Sequence, residues 1–232
     1  MTAWQQNLRR RFDRAAAGYD ALAQLQQQSA QRLLMALQPV LASSPKPLNI
    51  LDVGSGTGWL IKQLQAAQPS AWCCALDLSE GMLRSPSAGA NERVQRVCAD
   101  ASVLPMASSA FDLVVSNFAL HWCDDPLQVL NELHRVCVPG GQAFCVIPVS
   151  GSLSARGDTR TTGASLLPLA TWQHALAASP WTLRQADSET YEEFHDSPTA
   201  WLSTLRALGV TAQRPAASVN ALSPRQALQQ LH

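Results

Sequence analysis

The feature that most constrains this sequence is an apolar run that leads directly into closely spaced glycines. The run extends from Leu48 to Val53, and glycines follow at positions 54, 56 and 58 before a helical pattern begins. Because glycine has no Cβ, its backbone can adopt positive φ and approach a ligand closely. A strand that ends in such a turn and opens a helix presents free N–H groups at the positive end of the helix dipole. The pattern predicts a nucleotide-type site at the carboxyl edge of a sheet.

The spacing of these glycines narrows the class of nucleotide. A dinucleotide-binding turn has the pattern G-x-G-x-x-G, in which the third glycine comes one residue later than here. Trp59 occupies that position in this chain. The spacing therefore argues against a nicotinamide-dependent dehydrogenase.

Further apolar runs follow along the chain. They are Trp72 to Leu76, Val94 to Ala99, Phe111 to Val115 and Gln142 to Ile147. Helical segments separate them, which implies parallel strands with crossovers on both faces of the sheet. We therefore predict a Rossmann-like, doubly wound α/β fold with a mostly parallel sheet.

Polar residues stand where several of these runs end. Asp77 follows the second run and Asp100 the third, and Asn117 lies just beyond the fourth. A carboxylate at the tip of the second strand is placed to accept hydrogen bonds from both hydroxyls of a ribose. The alternative interpretation is that these acids and the glycines serve only as caps and turns.

Other residues mark predicted helix ends. Ser79 is a candidate N-cap with Glu80 in the first turn, and Asp125 is a candidate N-cap for a helix that runs through Val138. We interpret Pro139-Gly140-Gly141 as the stop of that helix before the fifth strand.

The 232 residues are enough for one α/β domain with added elements. Residues 1–47 form an N-terminal helical segment that includes a helix from Gln24 to Leu37. Residues 48–149 form the sheet core, and residues 150–232 form a C-terminal extension. The extension holds a strand candidate, Thr182 to Phe194, with a strip of acidic residues that we expect to face solvent. Helices are predicted from Pro198, capped by Ser197, and from Ser223 to Leu231.

Composition limits the partners and the location. Charged residues make up 15% of the chain and the formal net charge is zero, so no general attraction to nucleic acid is expected. We see no signal core and no run of the roughly eighteen apolar residues that span a membrane. The six cysteines form no C-x-x-C pair and no zinc spacing. We expect reduced thiols, no metal site and a cytoplasmic location.

Several motifs together point to a known family. The glycine turn preceded by Asp52 resembles motif I of the class I S-adenosylmethionine-dependent methyltransferases. The pattern Phe-x-x-Ala-Ala-x-x-Tyr, from Phe12 to Tyr19, resembles the opening of the malonyl-[acyl-carrier protein] O-methyltransferases of biotin synthesis. That resemblance continues in the stretch from Ser116 to Cys123, in Gly-Ser-Leu at 151–153 and in Leu-x-x-Leu-Gly at 205–209.

The resemblance implies a methyl donor, S-adenosylmethionine, and its product, S-adenosylhomocysteine. Asp77 is then expected to bind the ribose, and Asp100 the adenine amino group. The donor-binding residues that it implies are Asp52, Gly54, Ser55, Gly56, Gly58, Asp77, Leu78, Met82, Asp100, Ala101 and Asn117.

The acceptor implied by the resemblance is the free carboxylate of a malonyl thioester on acyl-carrier protein or coenzyme A. Carboxylates are ionised at neutral pH because their reference pKa is about 4, so hydrogen-bond donors matter more than a base. Tyr19 and Asn117 are the catalytic candidates, although Tyr19 has the alternative role of packing on the sheet. The further substrate candidates are Phe118, His121, Trp122, Arg156 and Arg206. Packing is the alternative for His121, and solvation is the alternative for the two arginines, which lie in the lid-like extension.

The carrier protein is a strongly acidic partner, and a local basic patch can attract it even when the net charge is zero. For this role we propose a cluster on the N-terminal segment, which comprises Arg9, Arg10, Arg11 and Arg14. Arg206 and Arg214 of the C-terminal extension are further candidates. The alternative is an ordinary solvated helix end.

One departure from the family pattern keeps other functions open. Methyltransferases of this fold end with an antiparallel strand inserted into the sheet, and we find no apolar run for it after Phe194. The alternatives are a methyltransferase acting on another small molecule and a methyltransferase-like binding protein without catalysis. The intact set of donor-binding acids and glycines argues against the second alternative.

Overall fold

The computed structural model describes residues 1–85, 91–152 and 166–211. The described chain holds a five-stranded sheet in the order β3-β2-β1-β4-β5, and every pair of neighbouring strands is parallel. The strands are β1 (Asn49–Val53), β2 (Trp72–Asp77), β3 (Val94–Cys98), β4 (Phe111–Asn117) and β5 (Cys137–Val146). The predicted parallel α/β sheet is confirmed. Leu153, Arg156, Arg214 and the helix predicted from Ser223 lie outside the described residues.

Eight α-helices accompany the sheet in the described part of the chain. They are α1 (Ala3–Ala15), α2 (Tyr19–Leu22), α3 (Gln24–Ser43), α4 (Trp59–Ala67), α5 (Glu80–Leu83), α6 (Pro126–Val136), α7 (Leu169–Ala178) and α8 (Pro198–Ala207). None of the helices in these described ranges has the length and apolar character that a membrane crossing needs.

The core lies in two layers, one on each face of the sheet. In β1, Ile50 packs in a cluster with residues of α3 and α4, whereas Leu51 packs in a second cluster with residues of α6 and α7. Both side chains have no exposed surface. Alternate strand residues point to opposite faces, so a strand covered on both faces must be apolar throughout. This burial explains the uninterrupted apolar run before the glycine turn.

Two predicted helix ends are wrong. Helix α3 continues past Leu37 to Ser43, because Leu41 extends the buried stripe by one more turn. Helix α6 ends at Val136 instead of Val138. Pro139-Gly140-Gly141 lies inside β5 and is not a helix stop. The register shifts there, so that Phe111 pairs with Cys137 and Leu113 with Gln142.

The predicted strand from Thr182 to Phe194 is also wrong. Residues 181–195 form neither helix nor strand, and Phe194 is 88% exposed. A strand needs a neighbour for its N–H and C=O groups, and within the described residues no strand pairs with the outer edge of β5. The acidic strip of this segment is exposed, as expected.

The predicted caps are confirmed. The Ser79 hydroxyl accepts a hydrogen bond from the N–H of Met82 at 3.1 Å, and the Asp125 carboxylate accepts one from the N–H of Leu127 at 2.9 Å. The Ser197 hydroxyl accepts one from the N–H of Ala200 at 3.1 Å, at the start of α8.

Candidate active site

The glycine turn joins β1 to α4 and crosses the end of β2. Gly54 has a φ of +75°, and the N–H groups of Gly54 and Ser55 donate to the Leu76 carbonyl at 2.7 and 2.9 Å. A Cβ placed on Gly54 would lie 2.0 Å from the Cβ of Ala119. Only glycine fits here, because the conformation and the close approach both exclude a side chain. The turn therefore brings the ends of β1, β2 and β4 together.

Asp77 ends β2 beside this turn. Its carboxylate accepts hydrogen bonds from the N–H of Gly56 at 2.9 Å and from the N–H of Ser79 at 2.8 Å. Burial raises the pKa of Asp77 to about 6, although these bonds act in the opposite direction. A carboxylate has about four lone-pair sites. The two backbone N–H groups use two of these sites, and the others can accept hydrogen bonds from a ligand.

Asp52 lies within β1, next to the turn. Its side chain is 1% exposed, and its Oδ2 is buried without a hydrogen-bond partner, as are Oγ of Ser55 and Oε1 of Gln26. Burial, and then the charge of Asp77, raises the pKa of Asp52 to about 8. Buried polar atoms normally have partners, so these three atoms point to a ligand that supplies donors.

The raised pKa of Asp52 predicts how stability depends on pH. The folded protein binds this proton more tightly than the unfolded chain does, so the free energy of unfolding should fall as pH rises from about 4 towards 8. Asp52→Asn removes this titration. We expect the Tm of the ligand-free variant, relative to that of the wild type, to be higher at pH 8 than at pH 5.5. Each kcal/mol of difference in the free energy of unfolding should shift Tm by roughly 2–4 °C.

Circular dichroism melts at the two pH values measure this effect. Asp112→Asn is the control, because the N–H of Asn49 and the ammonium of Lys46 outweigh burial and lower the pKa of that carboxyl. Asp112 is therefore ionised in the folded and the unfolded chain at both pH values, and its variant should differ from the wild type equally at pH 5.5 and pH 8. An Asp52→Asn difference that does not change with pH would contradict the assignment.

One cavity unites the glycine turn with the N-terminal helices. The charged side chains that line it are Asp20, Asp52, Asp77 and Asp100. Among its described lining residues there is no lysine, arginine or histidine. Buried carboxylates without basic partners favour a positively charged ligand. The cavity is therefore suited to a cation that also offers hydroxyl and amino donors.

The structure brings most of the predicted site residues together in this cavity. Those that line it are Tyr19, Asp52, Gly54, Ser55, Gly56, Asp77, Leu78, Met82, Asp100, Ala101, Asn117, Phe118 and Trp122. Gly58 caps α4 behind the turn with a φ of +84° and is not among the lining residues. His121 and Arg206 are not among them either.

Tyr19 is the first residue of α2 and lines the same cavity as the glycine turn. Burial, then the charges of Asp77 and Asp20, raises the pKa of its hydroxyl well above the usual range. The hydroxyl is therefore protonated at neutral pH and acts as a hydrogen-bond donor. That property suits a group that orients a carboxylate.

The amide of Asn117 is engaged within the protein. Its Nδ2 donates to the Gln26 carbonyl at 2.9 Å, and its Oδ1 accepts from the Ser29 hydroxyl at 2.5 Å. One N–H of Nδ2 and one lone pair of Oδ1 are not used by these two bonds. The contacts make Asn117 a positioning residue that ties β4 to α3 at the cavity wall.

His121 and Arg206 occupy other surroundings. The ring of His121 lies 4.6 Å from that of Trp122, and its side chain is buried outside the cavity. Trp122 packs on Phe12 at 5.8 Å and on Trp4 at 6.2 Å, which forms an aromatic wall with α1. Arg206 is exposed on α8.

Sequence reasoning missed the residues by which the N-terminal helices close the site. Asp20 accepts a hydrogen bond from the Thr57 hydroxyl at 2.5 Å. Asp13 accepts bonds from the Ser79 hydroxyl at 2.6 Å and from the N–H of Gly81 at 2.9 Å. The sequence signal for Asp20 is its position directly after Tyr19, the last residue of the Phe-x-x-Ala-Ala-x-x-Tyr pattern.

The N-terminal arginines do not act as one group. Arg9 pairs with Asp13 and Glu80, and Arg11 donates to the Thr211 hydroxyl at 3.1 Å. Arg10 and Arg14 are exposed, one turn apart on α1. These two side chains form an exposed basic surface on α1, and Arg206 is exposed on α8.

Comparisons with known proteins agree with this geometry. Residues 51–145 match the family described as a methyltransferase domain. The chain is 34% identical over 216 residues to the malonyl-[acyl-carrier protein] O-methyltransferase of Methylococcus capsulatus, covering 88% of this chain and 77% of that protein. It is 35% identical over 221 residues to the enzyme of the same name from Hahella chejuensis, covering 88% and 75%.

The chain belongs to the malonyl-[acyl-carrier protein] O-methyltransferase family. It is accordingly an S-adenosylmethionine-dependent methyltransferase with a Rossmann-like fold. The fold alone is shared with the YcgJ protein of Bacillus subtilis, with a TM-score of 0.58 at 18% identity over 86% of this chain and 88% of that one.

The residues present fit the methyl donor of this enzyme class. S-adenosylmethionine carries a sulfonium and an ammonium group, which match a cavity lined by carboxylates. Its ribose hydroxyls are donors, which match the free acceptor capacity of Asp77, and its ammonium group is a donor that matches the unpartnered Oδ2 of Asp52.

Proposed function

We propose that this chain binds S-adenosylmethionine in the described cavity and transfers its methyl group to the free carboxylate of a malonyl thioester on acyl-carrier protein. This reaction belongs to an early stage of biotin synthesis. The observation that carries the proposal is the pairing of Asp77 with the N–H groups of Gly56 and Ser79 in an acidic cavity. The family membership supports the same reaction.

The roles proposed for the donor site follow from chemistry. Asp77 would accept hydrogen bonds from the two ribose hydroxyls, and Asp100 would accept one from the adenine amino group. Asp52 would face the positively charged part of the donor. Leu78, Met82 and Ala101 line the cavity with apolar surface that suits the adenine ring.

On the acceptor side, the chain has to position the malonyl carboxylate and remove water from it. The malonyl carboxylate is ionised at neutral pH, so its oxygen can attack without losing a proton to a base. When bound, S-adenosylmethionine supplies an electrophilic methyl group on a positively charged sulfur. The protonated hydroxyl of Tyr19 would orient one carboxylate oxygen, and the walls at Phe118 and Trp122 would exclude water. Positioning of this kind contributes up to roughly 7–11 kcal/mol in favourable intramolecular cases.

Mass spectrometry of loaded carrier protein tests the function. Malonyl-loaded acyl-carrier protein incubated with the chain and S-adenosylmethionine should gain the mass of one methyl group. Acetyl-loaded carrier protein is the control, because it lacks the free carboxylate and should gain nothing. An unchanged malonyl mass with folded enzyme, or equal methylation of both forms, would refute the acceptor.

The acidic carrier protein is the proposed partner of the exposed arginines. Reversing Arg10 and Arg14 to glutamate should lower kcat/KM for malonyl-loaded carrier protein by about tenfold, because local charge governs the rate of encounter. Activity on a short malonyl thioester should be unchanged. Arg184→Glu, at another exposed position, is the matched control. Equal losses of activity on both substrates would contradict a role for these arginines in binding the carrier protein.

A further inference from the structure

Gln5, in the first turn of α1, reaches into the cavity and binds Asp100. Its Nε2 donates to Oδ2 of Asp100 at 2.6 Å, although 95 residues separate the two positions. Gln5 also lines the cavity. Nothing in the sequence motifs points to this residue, and the N-cap role of Thr2 alone would not require the contact.

Both ends of the Gln5 amide are fixed. Its Oε1 accepts a hydrogen bond from the N–H of Thr2 at 2.8 Å, and Thr2 in turn accepts from the N–H of Gln5 at 3.2 Å. These reciprocal bonds form a capping box. The donor end of the amide is thereby aimed at Asp100 by the helix cap itself.

Asp100 already accepts one hydrogen bond on each oxygen. Its Oδ1 accepts the N–H of Ser102 at 2.9 Å, and its Oδ2 accepts Nε2 of Gln5 at 2.6 Å. An N–H of an amide and an N–H of an adenine amino group are the same kind of donor to a carboxylate. Gln5 therefore gives Oδ2 of Asp100 the kind of donor that a bound adenine would present, from the cavity side.

We propose that Gln5 belongs to the adenine subsite and competes with the adenine amino group for Asp100. The inference rests on the proposed function, because that function assigns Asp100 to the adenine. Binding of the adenosine moiety then releases the Gln5 side chain from Asp100 and loosens the first turn of α1. Loss of Gln5 makes the subsite more accessible and does not damage it.

The anchoring of α1 confines this change to its first turn. At the other end of the helix, Asp13 holds the Ser79 hydroxyl and the N–H of Gly81, and a Cβ on Gly81 would come within 2.8 Å of the Asp13 Cα. In the middle, Leu8 is 3% exposed against the cavity wall. In the first turn, Trp4 packs on Trp122 with ring centroids 6.2 Å apart, and the Gln5 bond joins this turn to Asp100.

Calorimetric titration with S-adenosylhomocysteine tests the proposal. We expect Gln5→Ala to bind about 3–10-fold more tightly than the wild type, because a hydrogen bond to a charged group no longer has to be replaced. Gln6→Ala is the matched control, since Gln6 is an exposed residue of the same type in the same turn, and its affinity should not change. S-inosylhomocysteine lacks the amino group and should gain nothing from Gln5→Ala.

Hydrogen exchange gives a second readout. Saturation with S-adenosylhomocysteine should speed the exchange of the Gln6 amide, which bonds to the Thr2 carbonyl at 3.0 Å, and should slow the exchange of the Gly56 amide. Weaker or equal binding by Gln5→Ala, equal gains for both ligands, or added protection of the first turn would overturn the proposal. Methyl transfer in the mass-spectrometric test is judged separately, so the competition can fail while the proposed function stands.

Discussion

Replacing Asp77 with alanine should weaken the binding of S-adenosylhomocysteine by about 10²–10⁴-fold. The substitution removes the carboxylate that we propose accepts hydrogen bonds from two ribose hydroxyls, and bonds to charged groups contribute about 1.5–3 kcal/mol each. It also frees the N–H groups of Gly56 and Ser79, which the carboxylate now holds in place. Isothermal titration calorimetry measures the loss.

Two variants separate the ligand contact from the structural one. Asp77→Asn keeps an oxygen for one backbone N–H but loses the charge, so its affinity should lie between those of the wild type and the alanine variant. Asp112→Ala removes another carboxylate that accepts a backbone N–H, from Asn49 at 2.9 Å, but it lies outside the cavity lining. It should lower Tm without lowering affinity. Similar affinity losses in Asp112→Ala and Asp77→Ala would contradict the assignment.

Gly54→Ala should lower the free energy of unfolding by about 2–6 kcal/mol, the sum of strained backbone and overpacking. The new methyl group would meet the Ala119 Cβ at 2.0 Å, and the φ of +75° would remain unfavourable. Denaturant unfolding measures the change. Donor affinity should fall as well, because the turn that carries Gly56 would move away from Asp77.

A second substitution tests the cause. Ala119→Gly in the Gly54→Ala background removes the colliding atom but leaves the backbone strain, so it should restore about half of the lost stability. Gly18→Ala is the control, because a Cβ there meets nothing within 4 Å and the φ is negative. A Gly54→Ala protein as stable as Gly18→Ala would show that the close approach of β1 and β4 is wrong.

The sheet and its carboxyl edge could be predicted because local signals specify them. Ile50 and Leu51 face opposite buried layers, which is why β1 is continuously apolar, and the next residues are glycines. Residues at strand ends converge on one edge whatever the exact register. The sequence is therefore sufficient to predict that Asp52, Asp77 and Asp100 lie at one site.

Other features depend on contacts that no local pattern encodes. Gly140 and Gly141 resemble a helix stop, but a Cβ on Gly141 would lie 2.6 Å from the Cys137 sulfur and 2.9 Å from the Asp112 carbonyl oxygen. Glycine is therefore required at this position, where the irregular part of β5 packs closely against β4. Similarly, the bonds of Gln5 to Asp100 and of Asp13 to Ser79 join residues far apart in sequence. They form only when α1 packs against α5 and the segments that follow β2 and β3.

The strand predicted in the C-terminal extension does not form. Within the described residues, residues 182–194 have no strand to pair with. Backbone hydrogen bonding is a property of two segments, so one suitable segment is not sufficient.

Calorimetric titration of the folded wild-type chain with S-adenosylmethionine and S-adenosylhomocysteine measures whether the cavity binds the methyl donor. We expect saturable binding of both at one site, with affinity for each lost in Asp77→Ala and retained in Asp112→Ala. Absence of binding heat for both ligands at several temperatures, from protein with an intact cooperative melt, would contradict it.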